Sequence, residues 1–505
     1  MYTKNQIVNL TIDDIGSEGE GIGHIDGYAL FVKDALPGDE IEAKIVKVKK
    51  NYGYARVEKI IKPSEFRVEA GCENAVRCGG CQLQHLSYEK QLEYKQNKVK
   101  NCLVRMGGIA ESYIDAVMEP IMGMDNPYNY RNKAQFPVGM TKDGDVAIGF
   151  YAGRTHSIID CDYCGIQNDI SNDVIQIVRK WINKYGIEPY DEGSHSGLVR
   201  HILTRVGYVT GEVMVCLVVT DKKVSYMAEL VEMLKEIEGN ISERNRELWS
   251  EAVEGYSEDE TVEIFLKSVC LNINKEKTNK ILGDKIVNIY GENYIEDYIG
   301  DVKYRISPLS FYQVNPVQTK KLYGTALEYA GLTGNEIVWD LYCGIGTISL
   351  FLAQKAKGVL GVEIVPQAIE DAKVNAAING IDNTLFIAGA AEDVGDYLER
   401  EGHDIYAKPD VVVVDPPRKG CDEKLIDTIL NIAPERIVYV SCDPATLARD
   451  VKMLGEGGYE VKRVRACDMF GMTVHVETVI LLSKQKPDDV IEVEIELDEL
   501  DLTSA

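Results

Sequence analysis

The sequence predicts a multidomain α/β protein, and three observations carry that prediction. From Asp301 onward, strand-like runs alternate with helix-like runs: EIVWDL, GVLGVE, TLFIAG, DVVVVD and RIVYVS are separated by segments such as PQAIEDAKVNAAING. That alternation specifies a doubly wound, mostly parallel sheet, whose ligands sit at the carboxyl ends of the strands. Residues 1–61 read instead as short strands with period-two alternation (IVNLTI, ALFV, EIEAKIVKVKKNYGYARVEKII) broken by the turns GSEGEGIG and LPGDE, the pattern of a small β-barrel. Between them, residues 62–300 mix a charged helix (LSYEKQLEYKQNKVKNCLVRM) with strands such as HILTRVGY and EVMVCLVV, a central α+β region. The expected division is therefore 1–61, 62–300, 301–486 and an acidic tail, 487–505.

The chain has 505 residues and a net charge of −26. Much of that charge is local. The tail from Pro487 holds 8 acidic and no basic residues, and Glu236–Glu263 holds 10 acidic and 2 basic; the other 458 residues carry only −10. Both acidic stretches read as solvated chain, the first an insert centred on 240–260. The mildly acidic body leaves room for a local basic surface. In the barrel, Lys47, Lys49, Lys50 and Arg56 interleave with Tyr52 and Tyr54, as a stacking and phosphate-binding surface would. No apolar run is long enough to span a membrane. The N-terminal MYTKNQIVNLTIDD lacks a signal-peptide core. We expect a cytoplasmic monomer whose 12 cysteines are ligands, nucleophiles or core residues rather than disulfides.

The first strand of the C-terminal region ends in Asp340-Leu-Tyr-Cys-Gly-Ile-Gly-Thr347. Gly344 and Gly346 allow a tight turn against a ligand, and Glu363, at the end of the next strand, is placed to accept from ribose hydroxyls. A dinucleotide fingerprint wants a third glycine where Ser349 stands, so the loop favours S-adenosylmethionine over NAD. Asp415-Pro416-Pro417-Arg418 ends strand four. Enzymes that methylate exocyclic amines have an aromatic residue after the two prolines, and here it is Arg418.

Strand five, IVYVS, delivers Cys442 to the same edge. Asp443 and Pro444 follow, a cap and a first-turn residue for the next helix; a thiol there is expected to have a stabilised thiolate, an effect that the charge of Asp443 partly opposes. The last strand, in GMTVHVETVILLSK, brings His475 and Glu477 to that edge if it runs antiparallel. A thiol, a carboxylate and a methyl donor in one cleft suit methylation at carbon 5 of uracil: addition at carbon 6 activates carbon 5, and a base then removes the carbon-5 proton.

Cys72, Cys78 and Cys81 have the spacing C-x5-C-x2-C, and Cys161 or Cys164 could add a fourth ligand. The spacing alone admits an iron–sulfur cluster or zinc. Arg131, Asn132, Lys133 and Gln135, with Arg200, His201 and Arg205, read alone as solvated strand faces and become candidate RNA contacts only in the setting of the resemblance described next.

Together VSCDPATLARD, HVETV, DPPRKG, FYQVN and DLYCGIGT resemble the RNA uracil-C5 methyltransferases over nearly the whole chain. The closest likeness is to bacterial enzymes of 23S ribosomal RNA, including the Gram-positive type that serves two sites. The resemblance implies an OB-like TRAM barrel at 1–61, a Rossmann-like methyltransferase domain at 301–486, and Cys442 as nucleophile with Glu477 as base. It implies S-adenosylmethionine bound by Gln313, Tyr342, Gly344, Glu363 and Asp415. It also implies a [4Fe-4S] cluster held by Cys72, Cys78, Cys81 and Cys164 in the central domain, with Cys161 extra. Many members have asparagine where Asp443 stands. Transfer RNA is the competing substrate; a non-catalytic iron–sulfur RNA-binding protein and an NAD-dependent oxidoreductase are the other readings.

Overall fold

The computed structural model describes residues 2–153, 155–240 and 262–485. The tail from 487, and all but the first residue of the 240–260 segment, lie outside them. Five strands, Ile7–Ile15, Gly21–Ile25, Tyr28–Lys33, Glu40–Val48 and Tyr52–Lys62, close into a barrel. Alternation does the work: Ile41, Ala43 and Ile45 point inward and are fully buried. Gly23 is required where the wall is tightest, since a Cβ there would stand 2.5 Å from the Thr11 carbonyl oxygen. Asp39, fully buried, fastens the barrel to the next segment by accepting from the backbone N–H groups of Leu36 and Ser64 at 2.8 Å and pairing with Arg67.

The C-terminal sheet is the mostly parallel sheet that the sequence predicts. Thr384–Ala388, Gly358–Glu363, Ile337–Leu341, Val411–Val414 and Arg436–Ser441 run parallel; Glu477–Lys484 is antiparallel to the last of these, and Tyr459–Cys467 is antiparallel to it in turn. An eighth strand, Met118–Met122, joins the edge. It comes from far earlier in the chain, so the boundary near 300 does not follow the packing. The helix Tyr88–Arg105 makes the same crossing. Lys95 forms a fully buried ion pair with Asp468 and donates to the Phe470 carbonyl at 3.0 Å, Tyr94 donates to the Gly16 carbonyl at 3.0 Å, and Lys98 donates to the Val474 carbonyl at 3.0 Å. Barrel and C-terminal sheet are thus tied through one helix.

The central sheet packs the helix Asp169–Tyr185 against one face, with Trp181 and Val178 in the core. Asn168 caps that helix and Gly186, at φ +61°, ends it. Its strands Lys133–Met140 and Val199–Val206 are antiparallel neighbours. No helix among the described residues is long and apolar enough to cross a membrane.

Candidate active site

The carboxyl edge of the C-terminal sheet opens on a cavity of 690 Å³. Gln313, Tyr342, Gly344, Glu363 and Asp415 all line it, as do Cys442 and Glu477. Each is placed by local chemistry. Tyr342 takes a left-handed conformation at φ +78° as the chain leaves its strand, and the backbone N–H groups of Tyr342 and Cys343 both bond the Val362 carbonyl at 3.0 Å. Glu363 braces the glycine loop by accepting from the Gly344 N–H at 3.2 Å. Gly346 sits at φ +82°, where a Cβ would crowd Ala372 and Phe386 at 3.3 Å. Ser349 replaces a third glycine for a reason: its hydroxyl bonds the buried Asp340, whose other carboxylate oxygen has no partner. Asp340 also lines the cavity, a contribution the sequence did not single out.

Asp443 caps the helix Pro444–Glu456 as expected, accepting from the N–H groups of Ala445 and Thr446. The expectation of a stabilised thiolate fails. Burial pushes the Cys442 thiol up to about 12; Glu477 and Asp415 add to the effect, and Arg418 opposes it. Glu477 is itself pushed up to about 8, by burial and then by Asp415, again against Arg418. Burial, with Asp340, raises Asp415 to about 7. Two carboxyls and a thiol crowd one cleft with one cation, so protons are retained there near neutrality. His475, lowered to about 4 by burial and by Arg418, Lys98 and Lys95, is neutral.

Cys442 and His475 also line a second cavity, of 680 Å³, between the barrel, the helix Tyr88–Arg105 and the helix at Pro444. The cleft is therefore open from two sides, one facing the glycine loop and one facing the barrel. On the barrel, Tyr52 and Tyr54 pack with Phe31 at ring-centroid separations of 5.7 and 5.8 Å. The family model described as tRNA (Uracil-5-)-methyltransferase matches residues 249–485, and the TRAM domain model matches residues 3–57. An uncharacterized RNA methyltransferase of Clostridium tetani is 48% identical over 95% of this chain and 97% of its own.

The chain belongs to the RNA uracil-C5 methyltransferase family. It is an RNA methyltransferase with an N-terminal TRAM domain. An RNA methyltransferase of Halalkalibacterium halodurans is likewise 48% identical over 95% of this chain and 97% of its own. Among solved structures, the Pyrococcus abyssi tRNA (uracil-54, C5)-methyltransferase in complex with S-adenosyl-L-homocysteine superposes with a TM-score of 0.71 at 28% identity, covering 94% of this chain and 99% of that one.

The remaining candidates of this methyltransferase divide. Cys72, Cys78, Cys81 and Cys164 come into one region, close enough that Cys81 is influenced by the other three. Among the described residues, however, no three Cys, His, Asp or Glu side chains are set to hold a metal ion. Cys161 is buried and donates to the Tyr163 carbonyl at 3.1 Å. Arg200 is no free phosphate contact: it donates to the carbonyls of Asn274, Glu276 and Thr278 and lies 4.6 Å from the Tyr190 ring centroid. Arg205 and His201 are buried as well. A strand covered on both faces turns its polar side chains inward, which alternation alone does not reveal.

Proposed function

We propose that this methyltransferase methylates carbon 5 of specific uridines in 23S ribosomal RNA, with S-adenosylmethionine as donor, Cys442 as nucleophile and Glu477 as base. The observation that carries the proposal is the convergence of Cys442, Glu477, Asp415 and the Gly344 loop on one cavity. When bound, S-adenosylmethionine supplies the methyl group on a positively charged sulfur, a charge that favours the thiolate and both carboxylates. Gln313, Tyr342, Gly344, Glu363 and Asp415 line the space for it.

Cys442 Sγ, its proton passed to a neighbouring carboxylate, adds to carbon 6 of the uracil and pushes electron density through to O4. Carbon 5 takes the methyl group as the donor's sulfur–methyl bond breaks, leaving S-adenosylhomocysteine. Glu477, as carboxylate, then takes the carbon-5 proton. The carbon 5–carbon 6 double bond reforms and Cys442 Sγ departs.

The ribosomal assignment is supported by the resemblance of barrel, cysteine loop and motif set to the bacterial 23S type. One observation favours a second reading: the structurally similar Pyrococcus abyssi enzyme is a tRNA methyltransferase. Incubating the protein with methyl-labelled donor and unmodified 23S ribosomal RNA or transfer RNA transcripts separates them. Label in 5-methyluridine of 23S ribosomal RNA is expected; label in transfer RNA alone contradicts it.

For the cysteine set, we propose a [4Fe-4S] cluster on Cys72, Cys78, Cys81 and Cys164, with an architectural role. The donors are all sulfur, and Cys81 and Cys164 pack against Met124 and Tyr130 in an apolar pocket, a setting suited to a shielded cluster. Cys161, engaged with a carbonyl, leaves Cys164 as the fourth ligand. Anaerobically purified protein should contain iron and acid-labile sulfide that Cys81→Ala removes; zinc with no iron would refute the assignment.

A further inference from the structure

We infer that Arg131, Lys133 and Arg205 form an anion site that holds a backbone phosphate of the acceptor RNA beside the methyl-transfer cavity. This inference rests on the RNA methylation proposed above.

Lys133 and Arg205 face each other as direct cross-strand partners in the central sheet, a like-charge placement that costs stability unless something neutralises it. Arg131 stands two residues before Lys133, and its charge reaches the same place. Burial first, and then Arg205 and Arg131, push the Lys133 ammonium down to about 7. No carboxylate offsets any of the three among the described residues. The Nε atoms of Arg131 and Arg205 are buried without a hydrogen-bond partner, and Arg205 is only 2% exposed. Arg205 donates to the Ser310 carbonyl, a neutral acceptor that leaves its charge uncompensated, and three such cations stand together in a chain of net charge −26.

Location identifies the anion. Asn132, between the two outer cations, donates its backbone N–H to the Val314 carbonyl at 2.8 Å and its side-chain amide to the Gln313 carbonyl at 3.0 Å. Gln313 and Val314 line the methyl-transfer cavity, so Arg131 and Lys133 flank a residue bonded to its wall. A guanidinium and an ammonium side by side suit a phosphodiester, the first by paired N–H donors and the second as a point charge. Arg205, deeper, contributes its field rather than contact. A phosphate held here would anchor the strand while its uridine turns toward Cys442.

The test uses the full-length protein with the RNA that it methylates. Fluorescence anisotropy across a salt series compares the unaltered enzyme with Arg131→Gln, Lys133→Gln, the double variant and Lys133→Arg, and calorimetry measures S-adenosylmethionine binding by each. The double variant should bind RNA about tenfold more weakly or worse, with the slope of log Kd against log salt reduced by about one to two. Lys133→Arg should retain both affinity and slope, and donor affinity should change less than twofold throughout. Equal affinity and slope in the double variant would overturn the inference. So would a loss of donor binding in place of RNA binding, which would assign the cations to the donor's carboxylate. An unaltered enzyme that transfers no methyl to any RNA would instead overturn the function beneath it. In that case, a rise in melting temperature with inorganic phosphate, absent in the double variant, would still report the anion site.

Discussion

Cys442→Ala abolishes turnover, lowering the rate by about 10⁴-fold or more, while S-adenosylmethionine binding and the melting temperature stay near those of the unaltered enzyme. The reason is chemical: without addition at carbon 6, carbon 5 of uracil has no electron density to offer the methyl group, and the cavity holds no second thiol placed alike. Cys343 also lines it but is buried and raised well above an ordinary thiol by burial and by Asp340 and Glu363. Half-buried Cys442 leaves a small void when truncated, so the stability cost is modest. Methyl transfer assays with parallel donor calorimetry check this; residual turnover within tenfold of the unaltered rate would remove Cys442 from the mechanism.

Glu477→Gln separates the two halves of the reaction. Methyl transfer precedes proton removal, so the variant should methylate once and stall, accumulating a Cys442–RNA adduct with ordinary uridine while turnover falls by about 10²- to 10⁴-fold. Its pH dependence carries a further signature. Glu477 is pushed up to about 8 by burial and by Asp415. As a base it acts deprotonated, so kcat/KM of the unaltered enzyme should rise as pH climbs through that region. In Glu477→Gln the limb should disappear. Gel mobility of denatured protein after incubation with donor and RNA reads the adduct. A variant that turns over slowly with no accumulated adduct would place the base elsewhere.

The layout of the cleft could be read along the chain because it depends on strand order. Once Cys442 follows a parallel strand and Glu477 opens an antiparallel neighbour, both must reach the same edge, and the ladder pairing Ser441 with Thr478 does that. The charge state of the cleft could not be read the same way. A helix N-terminus follows Cys442 in sequence and argues for a thiolate, with only the charge of Asp443 against it. Glu477 and Asp415 are its neighbours in space, and together with burial they outweigh that influence. The basic residues of the central region show the same limit. Arg200 and Lys133 look alike in the sequence, and only the fold surrounds one with carbonyls and leaves the other against Arg205. The reach of Tyr88–Met122 across to the C-terminal sheet depends on contacts such as Lys95 with Asp468, separated by most of the chain, for which no local pattern exists.

The most direct test is a covalent trap. The protein is mixed with S-adenosylmethionine and 5-fluorouridine-substituted 23S ribosomal RNA, denatured, digested and mapped by mass spectrometry. Fluorine at carbon 5 leaves no proton for Glu477 to remove, so the account predicts a stable adduct carrying the methyl group, joined through Cys442 and absent in Cys442→Ala. An adduct on another residue, or none from protein shown to bind both donor and RNA, would contradict it.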